Sequence, residues 1–323
     1  MTELSRRSLL GGTALAAAAT TLPALPAFAA APAAGKQGPG VYRYKIGSYE
    51  LTAVNDGTWY RDLDDKFVRN AAFPDVQKAM SESFLPTNKL PISFTTLIVN
   101  TGSKVIAIDT GTGGQLAPTA GTFGDNLAAA GIDPKSVDLI LISHFHPDHI
   151  NGIKTKENAL VFPNAEIAVP APEYAFWMDD SKMNAAPDAA KPAFRNVRRV
   201  FGDIKEVSKF EPGKEVAPGI ASIAAYGHTP GHTAFAIASG GQSMLVLSDT
   251  TNHPALFVRN PEWQAIFDMD ANMAVENRKR LLDRAVADKM LVQGYHFPFP
   301  ASGHIAKRGN GYELVPVQWT PQL

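Results

Sequence analysis

The chain contains no cysteine among its 323 residues. Disulfides, thiolate metal sites and a cysteine nucleophile are therefore excluded in any redox compartment, and a metal would have to be held by His, Asp or Glu. Charge of one sign is also lacking: Lys and Arg number 30 against 31 Asp and Glu, a formal net charge of -1, which argues against a nucleic-acid partner. The basic groups Arg195, Arg198, Arg199 and Asn277-Arg278-Lys279-Arg280 fall at helical spacing and read as solvated faces. No run beyond the N-terminal segment reaches the ~18 apolar residues of a bilayer span, so nothing anchors the mature sequence to a membrane. A G-x-S-x-G elbow is absent, and Thr110 to Gly114 lacks the spacing and lysine of a phosphate-binding loop. What is present is an ordinary globular balance, 45% hydrophobic and 19% charged, with enough apolar material for a sizeable core.

The N-terminus reads as an address. Ser5-Arg6-Arg7-Ser8-Leu9-Leu10 precedes a stretch rich in Ala, Leu and Thr that closes on Ala27-Phe28-Ala29, a small-residue cleavage pattern. Paired arginines before a mildly apolar region resemble a bacterial twin-arginine signal, which exports folded proteins; an ordinary secretory signal is the alternative. Either reading makes residues 1–29 a signal peptide and the destination the periplasm or the exterior. Residues 30–40, rich in Ala, Gly and Pro, read as a flexible lead-in, and residues 41–323 as the catalytic domain.

Apolar periodicity gives that domain two mixed halves. Tyr42 to Ile46 pairs with Tyr49 to Val54, and Phe94 to Asn100 with Lys104 to Ile108, as hairpins; Thr122 to Ala130 reads as a helix and Val137 to Ile142 as a buried strand. Ala165 to Val169 follows as a strand, with helices at Glu173 to Asp179 and Ala193 to Phe201. Strands at Ile220 to Tyr226, Ala234 to Ala238 and Ser243 to Leu247, a helix at Ala271 to Ala287 and a strand at Met290 to Tyr295 make the second half. The fold class expected is α/β, a four-layer αβ/βα sandwich with helices on both outer faces.

The chemistry gathers at His144-Phe145-His146-Pro147-Asp148-His149, four potential ligands within six residues. Alternate residues of an extended segment share a side, so His144 and His146 suit one metal, while the turn after Pro147 sends Asp148 and His149 toward a second. His232 in Gly227-His228-Thr229-Pro230-Gly231-His232, Asp249 after Met244 to Ser248, and His296 after Leu291 to Tyr295 each follow an apolar segment that would place them at a sheet edge.

An H-x-H-x-D-H signature with a later His, Asp and His resembles the metallo-β-lactamase superfamily. That resemblance implies His144, His146 and His232 on one metal, Asp148, His149 and His296 on the other, and Asp249 bridging both, with Asp249 and Asp148 as the catalytic carboxylates. It also implies that Asp109 supports a ligand histidine. His228 and His304 are candidates to orient ligands, and His253 reads as a surface or loop side chain. Imidazole and carboxylate without thiolate suit two zinc ions and also accept manganese, cobalt or iron. Such a pair lowers the pKa of a bridging water so that hydroxide is available as the nucleophile near neutral pH.

Within the superfamily, Val54 to Thr58, Phe162-Pro163-Asn164-Ala165, Gly227 to His232, His296 to Pro300 and Gly311 to Val317 look like methyl parathion hydrolase and related aryl-ester and lactone hydrolases. This implies a small-molecule aryl ester, lactone or organophosphate triester as substrate, Trp177 and Phe194 as pocket walls, and a homodimer. Homoserine-lactone hydrolases usually carry a tyrosine three residues after the bridging aspartate, where this chain has Asn252, and true β-lactamases generally lack the bridging aspartate. A non-enzymatic exported metal-binding protein is the other class, disfavoured because structural zinc is normally closed by four ligands and this set leaves positions open.

Overall fold

Apolar residues alternate between two destinations along each central strand, because successive side chains of a strand point to opposite faces. The computed structural model describes residues 33–323. The expected signal peptide lies outside the described residues, and residues 33–40 carry neither helix nor strand. Residues Pro39–Leu323 form one compact unit.

Two seven-stranded sheets are laid down strand by strand in chain order. The first holds β1 (Val41–Ile46), β2 (Tyr49–Asp62), β3 (Lys89–Asn100), β4 (Val105–Ile108), β5 (Leu139–Leu141), β6 (Glu166–Pro170) and β7 (Ser208–Phe210). It is antiparallel through β4 and parallel from β4 to β7. The second holds β8 (Glu215–Ala217), β9 (Ile220–Ala224), β10 (Thr233–Ser239), β11 (Gln242–Ser248), β12 (Leu291–Gly294), β13 (Ser302–Arg308) and β14 (Gly311–Pro316), with β11 and β12 its one parallel pair. A parallel pair needs a long crossover, and the helices occupy those crossovers. They are α2 (Phe123–Ala129) before β5, α3 (Pro147–Ile150) before β6, α4 (Ala171–Trp177), α5 (Asp180–Ala185) and α6 (Lys191–Phe201) before β7, and α7 (Ala271–Ala287) before β12. The remaining helix, α1 (Phe73–Glu82), lies between β2 and β3.

Leu97, Val99, Ile106, Ile108, Leu139 and Leu141 of the first sheet meet Phe235, Ile237, Met244 and Val246 of the second in a core between the sheets. Their neighbours in sequence turn outward. Ile98, Ala107 and Ile140 pack with α2, α4 and α6, and Leu245 and Val292 pack with Leu281, Leu282 and Ala285 of α7. Helix, sheet, sheet and helix are thus stacked as the αβ/βα sandwich expected.

β2 runs to Asp62, eight residues beyond the end expected at Val54. A bulge between Asn55 and Thr58, where Gly57 takes a φ of 98°, lets the strand bend and continue rather than stop. Helix α1 and the β13–β14 hairpin were not expected at all. Sequence patterning found the strands that feed the site: β5 ends just before His144, β11 just before Asp249 and β12 just before His296, so three segments meet beyond the carboxyl ends of parallel strands.

Candidate metal centre

His146 is the extended residue before α3 (φ -67°, ψ 151°), and Pro147 opens the helix with its fixed φ and missing N–H. The helical turn separates His144 and His146 from Asp148 and His149, as the spacing suggested. His144, His146, His228 and Asp249 form one cluster and Asp148, His149 and His296 a second, with candidate ligand atoms in each lying within 4.8 Å of one another. Asp249 stands between them. Its Oδ2 is 2.9 Å from His296 Nε2 and 3.3 Å from His228 Nε2, and its Oδ1 is 3.2 Å from His149 Nε2.

Four imidazoles are oriented by a hydrogen bond on the far side of the ring, which fixes the lone pair toward the centre. His149 Nδ1 donates to Asp109 Oδ2 at 2.8 Å, His296 Nδ1 to Ser93 O at 2.9 Å and His228 Nδ1 to Asp268 Oδ1 at 2.9 Å. His144 Nδ1 meets Ser143 Oγ at 3.0 Å, whose own hydroxyl donates to Asp109 Oδ2 at 2.8 Å. Asp109 therefore holds His149, a candidate ligand, from a left-handed backbone (φ 62°) that few non-glycine residues adopt. Ser248, next to Asp249, is held the same way (φ 46°).

These residues fit a metal. His146 Nδ1 faces both His144 Nε2 at 3.0 Å and His228 Nε2 at 2.9 Å, bringing three imidazole nitrogens together. Burial and neighbouring histidines keep His144 well below the ordinary imidazole range and His146 down to about 3, so these two are neutral, and converging lone pairs call for a cation. His149 Nε2 and Asp249 Oδ1 are buried without an aligned hydrogen-bond partner, as are Ser248 Oγ, Thr250 Oγ1, Thr251 Oγ1 and Asn252 Nδ2 beside them. In the second cluster the carboxylates dominate. Burial pulls the His149 and His296 pKa values down, but Asp249 and its fellow aspartates outweigh burial and raise both. The same two histidines, against the cost of burial, hold Asp249 well below the carboxylate range.

One position departs from the expected set. His232 was assigned to the first metal, yet its Nδ1 donates to Ala225 O at 2.9 Å and its Nε2 accepts the Asp249 N–H at 3.0 Å, so the protein consumes both ring nitrogens. His228, four residues earlier, takes its place in the cluster. Trp177 and Phe194 are also displaced from their expected role. They are 4% and 3% exposed and pack against one another in the core under α4 and α6, with Trp177 Nε1 bonded to Glu173. His304 is exposed on β13 and reaches no ligand, while His253 is buried and its Nδ1 accepts the Ala255 N–H.

Residues 89–292 match the family model of the metallo-beta-lactamase superfamily. The chain belongs to that superfamily. Among solved superfamily structures it is similar to AidC, a dizinc quorum-quenching lactonase solved with a product bound, at 26% identity and a TM-score of 0.82, covering 87% of this chain and 99% of that one. It is equally similar to the hydrolase AbOPH, at 26% identity and a TM-score of 0.82 over 88% of this chain and 100% of the other. A probable metal-dependent hydrolase from Staphylococcus aureus shares the fold at 22% identity and a TM-score of 0.68, over 85% and 100%. The chain is thus a metallo-beta-lactamase-fold hydrolase with a His and Asp cluster suited to divalent metal.

Proposed function

We propose that this protein is a two-metal hydrolase of lactones and aryl esters, with zinc as the first choice of metal. The observation that carries the reading is the convergence of inward lone pairs on two adjacent clusters with Asp249 between them. His144, His146 and His228 would hold one cation, Asp148, His149 and His296 the other, and Asp249 would bridge. Divalent ions bound there supply Lewis acidity toward a carbonyl and make hydroxide available near neutral pH.

The chain's own groups account for the rest. Asp109, Ser93, Ser143 and Asp268 hold the imidazoles as acceptors toward the centre. His146 and Asp148 are the partly exposed ligands, so the clusters open to substrate on their side. Asp148, at 14% side-chain exposure against 4% for Asp249, is the more open of the two carboxylates, which supports a role for it as proton acceptor during turnover. Met269, 49% exposed, has its backbone N–H tied to His228 O at 3.1 Å. The likeness to AidC favours a lactone. The leader pattern supports export to the periplasm or the exterior, a reading that N-terminal sequencing of the mature protein tests.

Rates on an aryl ester, an acyl homoserine lactone, a dialkyl aryl phosphotriester and a chromogenic β-lactam, measured on one metal-loaded sample, test the substrate class. Turnover of lactone or aryl ester above the other two supports the reading. Preference for the phosphotriester or the β-lactam would replace it.

A further inference from the structure

Glu173 is fully buried on α4 and belongs to neither cluster. Its carboxylate receives four donors. Oε1 accepts the Phe145 N–H at 2.9 Å and Trp177 Nε1–H at 2.7 Å, and Oε2 accepts the Thr229 hydroxyl at 2.8 Å and the Gly231 N–H at 2.7 Å. These four donors favour the ionised carboxylate, while burial outweighs them and raises its pKa above the ordinary glutamate value. None of the four donors is a cationic side chain.

The origin of those donors matters. Phe145 lies between His144 and His146, Thr229 follows His228, and Gly231 precedes His232. One carboxylate therefore joins the two loops that supply every imidazole of the first cluster. Gly231 permits the approach, because a Cβ there would lie 2.2 Å from Glu173 N and 2.6 Å from its Cα.

We propose that Glu173 is a positioning residue for the first cation, fixing the separation between the His144–His146 segment and the His228 loop. This rests on the two-metal reading above. Outer hydrogen bonds that orient ligands typically change metal affinity by about 10–100-fold, and Glu173 acts one step further out, through the backbone that carries the ligands.

Three variants separate positioning from simple packing. Glu173→Gln keeps the shape but turns an NH2 group toward two donors. Thr229→Val removes one of the two ties to the His228 loop and leaves the Gly231 N–H in place. Trp177→Phe removes a bond that stays within α4 and joins no loop. Each is assayed by far-UV circular dichroism, by zinc titration against a chromogenic chelator, and by the visible spectrum of the cobalt-loaded protein. The expected result is about a 10-fold or greater loss of affinity at one of two sites in Thr229→Val and in folded Glu173→Gln, with an altered cobalt spectrum, and little change in Trp177→Phe. If Glu173→Gln does not fold, the comparison of Thr229→Val with Trp177→Phe decides alone. Wild-type affinity and spectrum in Thr229→Val, or equal losses in both, overturn the proposal. A wild-type protein that binds no zinc would instead overturn the two-metal reading.

Discussion

Replacing Asp268 with asparagine should damage the protein in two separable ways. Asp268 Oδ1 orients His228 at 2.9 Å, and Oδ2 pairs with Arg278 at 3.2 Å, where the arginine side chain is only 1% exposed. Breaking a buried pair by removing one partner costs about 3–5 kcal/mol, because the surviving charge is left without compensation. Arg278 keeps Thr250 O, Pro261 O and Trp263 O as acceptors and lies 5.1 Å over the Phe257 ring. The lower end, ~3 kcal/mol, is therefore expected, or a melting temperature lower by roughly 6–12 °C in the metal-free protein. The second effect is on metal: the asparagine carbonyl is a weaker acceptor for His228 Nδ1–H than the carboxylate, and the first cation should bind about 10-fold more weakly, the lower end of the range for such partners. A double variant, Asp268→Asn with Arg278→Met, tells them apart. It should recover most of the melting temperature, since the unpaired charge is gone, and none of the zinc affinity. Thermal denaturation and zinc competition read the two quantities. Asp268→Asn melting within ~2 °C of wild type and binding zinc as tightly would refute the reasoning.

The assignment of His228 over His232 gives a direct contrast. His228→Ala should retain about one metal per chain by elemental analysis. His232→Ala should keep two while losing about 1–3 kcal/mol of stability, through the Asp249 N–H and Ala225 carbonyl it leaves unpaired; the reverse pattern would restore the expected set. In the metal-free protein His228 is raised to about 9 from 6.5, with Asp249 and Asp268 outweighing burial. A raised histidine stabilises fully below its unfolded value, so melting temperature should fall as pH rises from 6.5 to about 9. The lowered histidines, His144 and His146, weigh only below 6.5. Zinc affinity should move oppositely and strengthen with pH, because binding expels those protons. Melts and competition titrations at both ends of the window check the two signs, and an apo melting temperature that rises with pH contradicts them.

Much of the site was legible because its information is local. Extended residues before Pro147 and a helical turn after it dictate which pairs of the H-x-H-x-D-H segment share a side. The central strands were legible for a similar reason: alternation such as Leu139, Ile140, Leu141 assigns one face to the inter-sheet core and the other to the helices. The choice between His228 and His232 was not local. It turns on Asp268, 40 residues away, which takes the Nδ1 proton of one ring, and on the Asp249 N–H, which takes the lone pair of the other. Trp177 and Phe194 misled because an aromatic at helical spacing serves a core as well as a pocket, and only packing decides between them. The continuation of β2 past Gly57 depended on a bulge, and α1 on burying Val76, Ala79 and Met80 against the end of that strand and its neighbours. Glu173 gave no signal, being a lone carboxylate on a short helix whose four partners come from three segments.

The central claim is a two-metal hydrolytic site, and one preparation tests it. Metal content by elemental analysis and lactone hydrolysis are measured on the same purified sample before chelation, after it, and after zinc is returned. About two metals per chain, loss of turnover on stripping and its return with zinc are the expected result. Undiminished turnover in the metal-free sample would contradict the account.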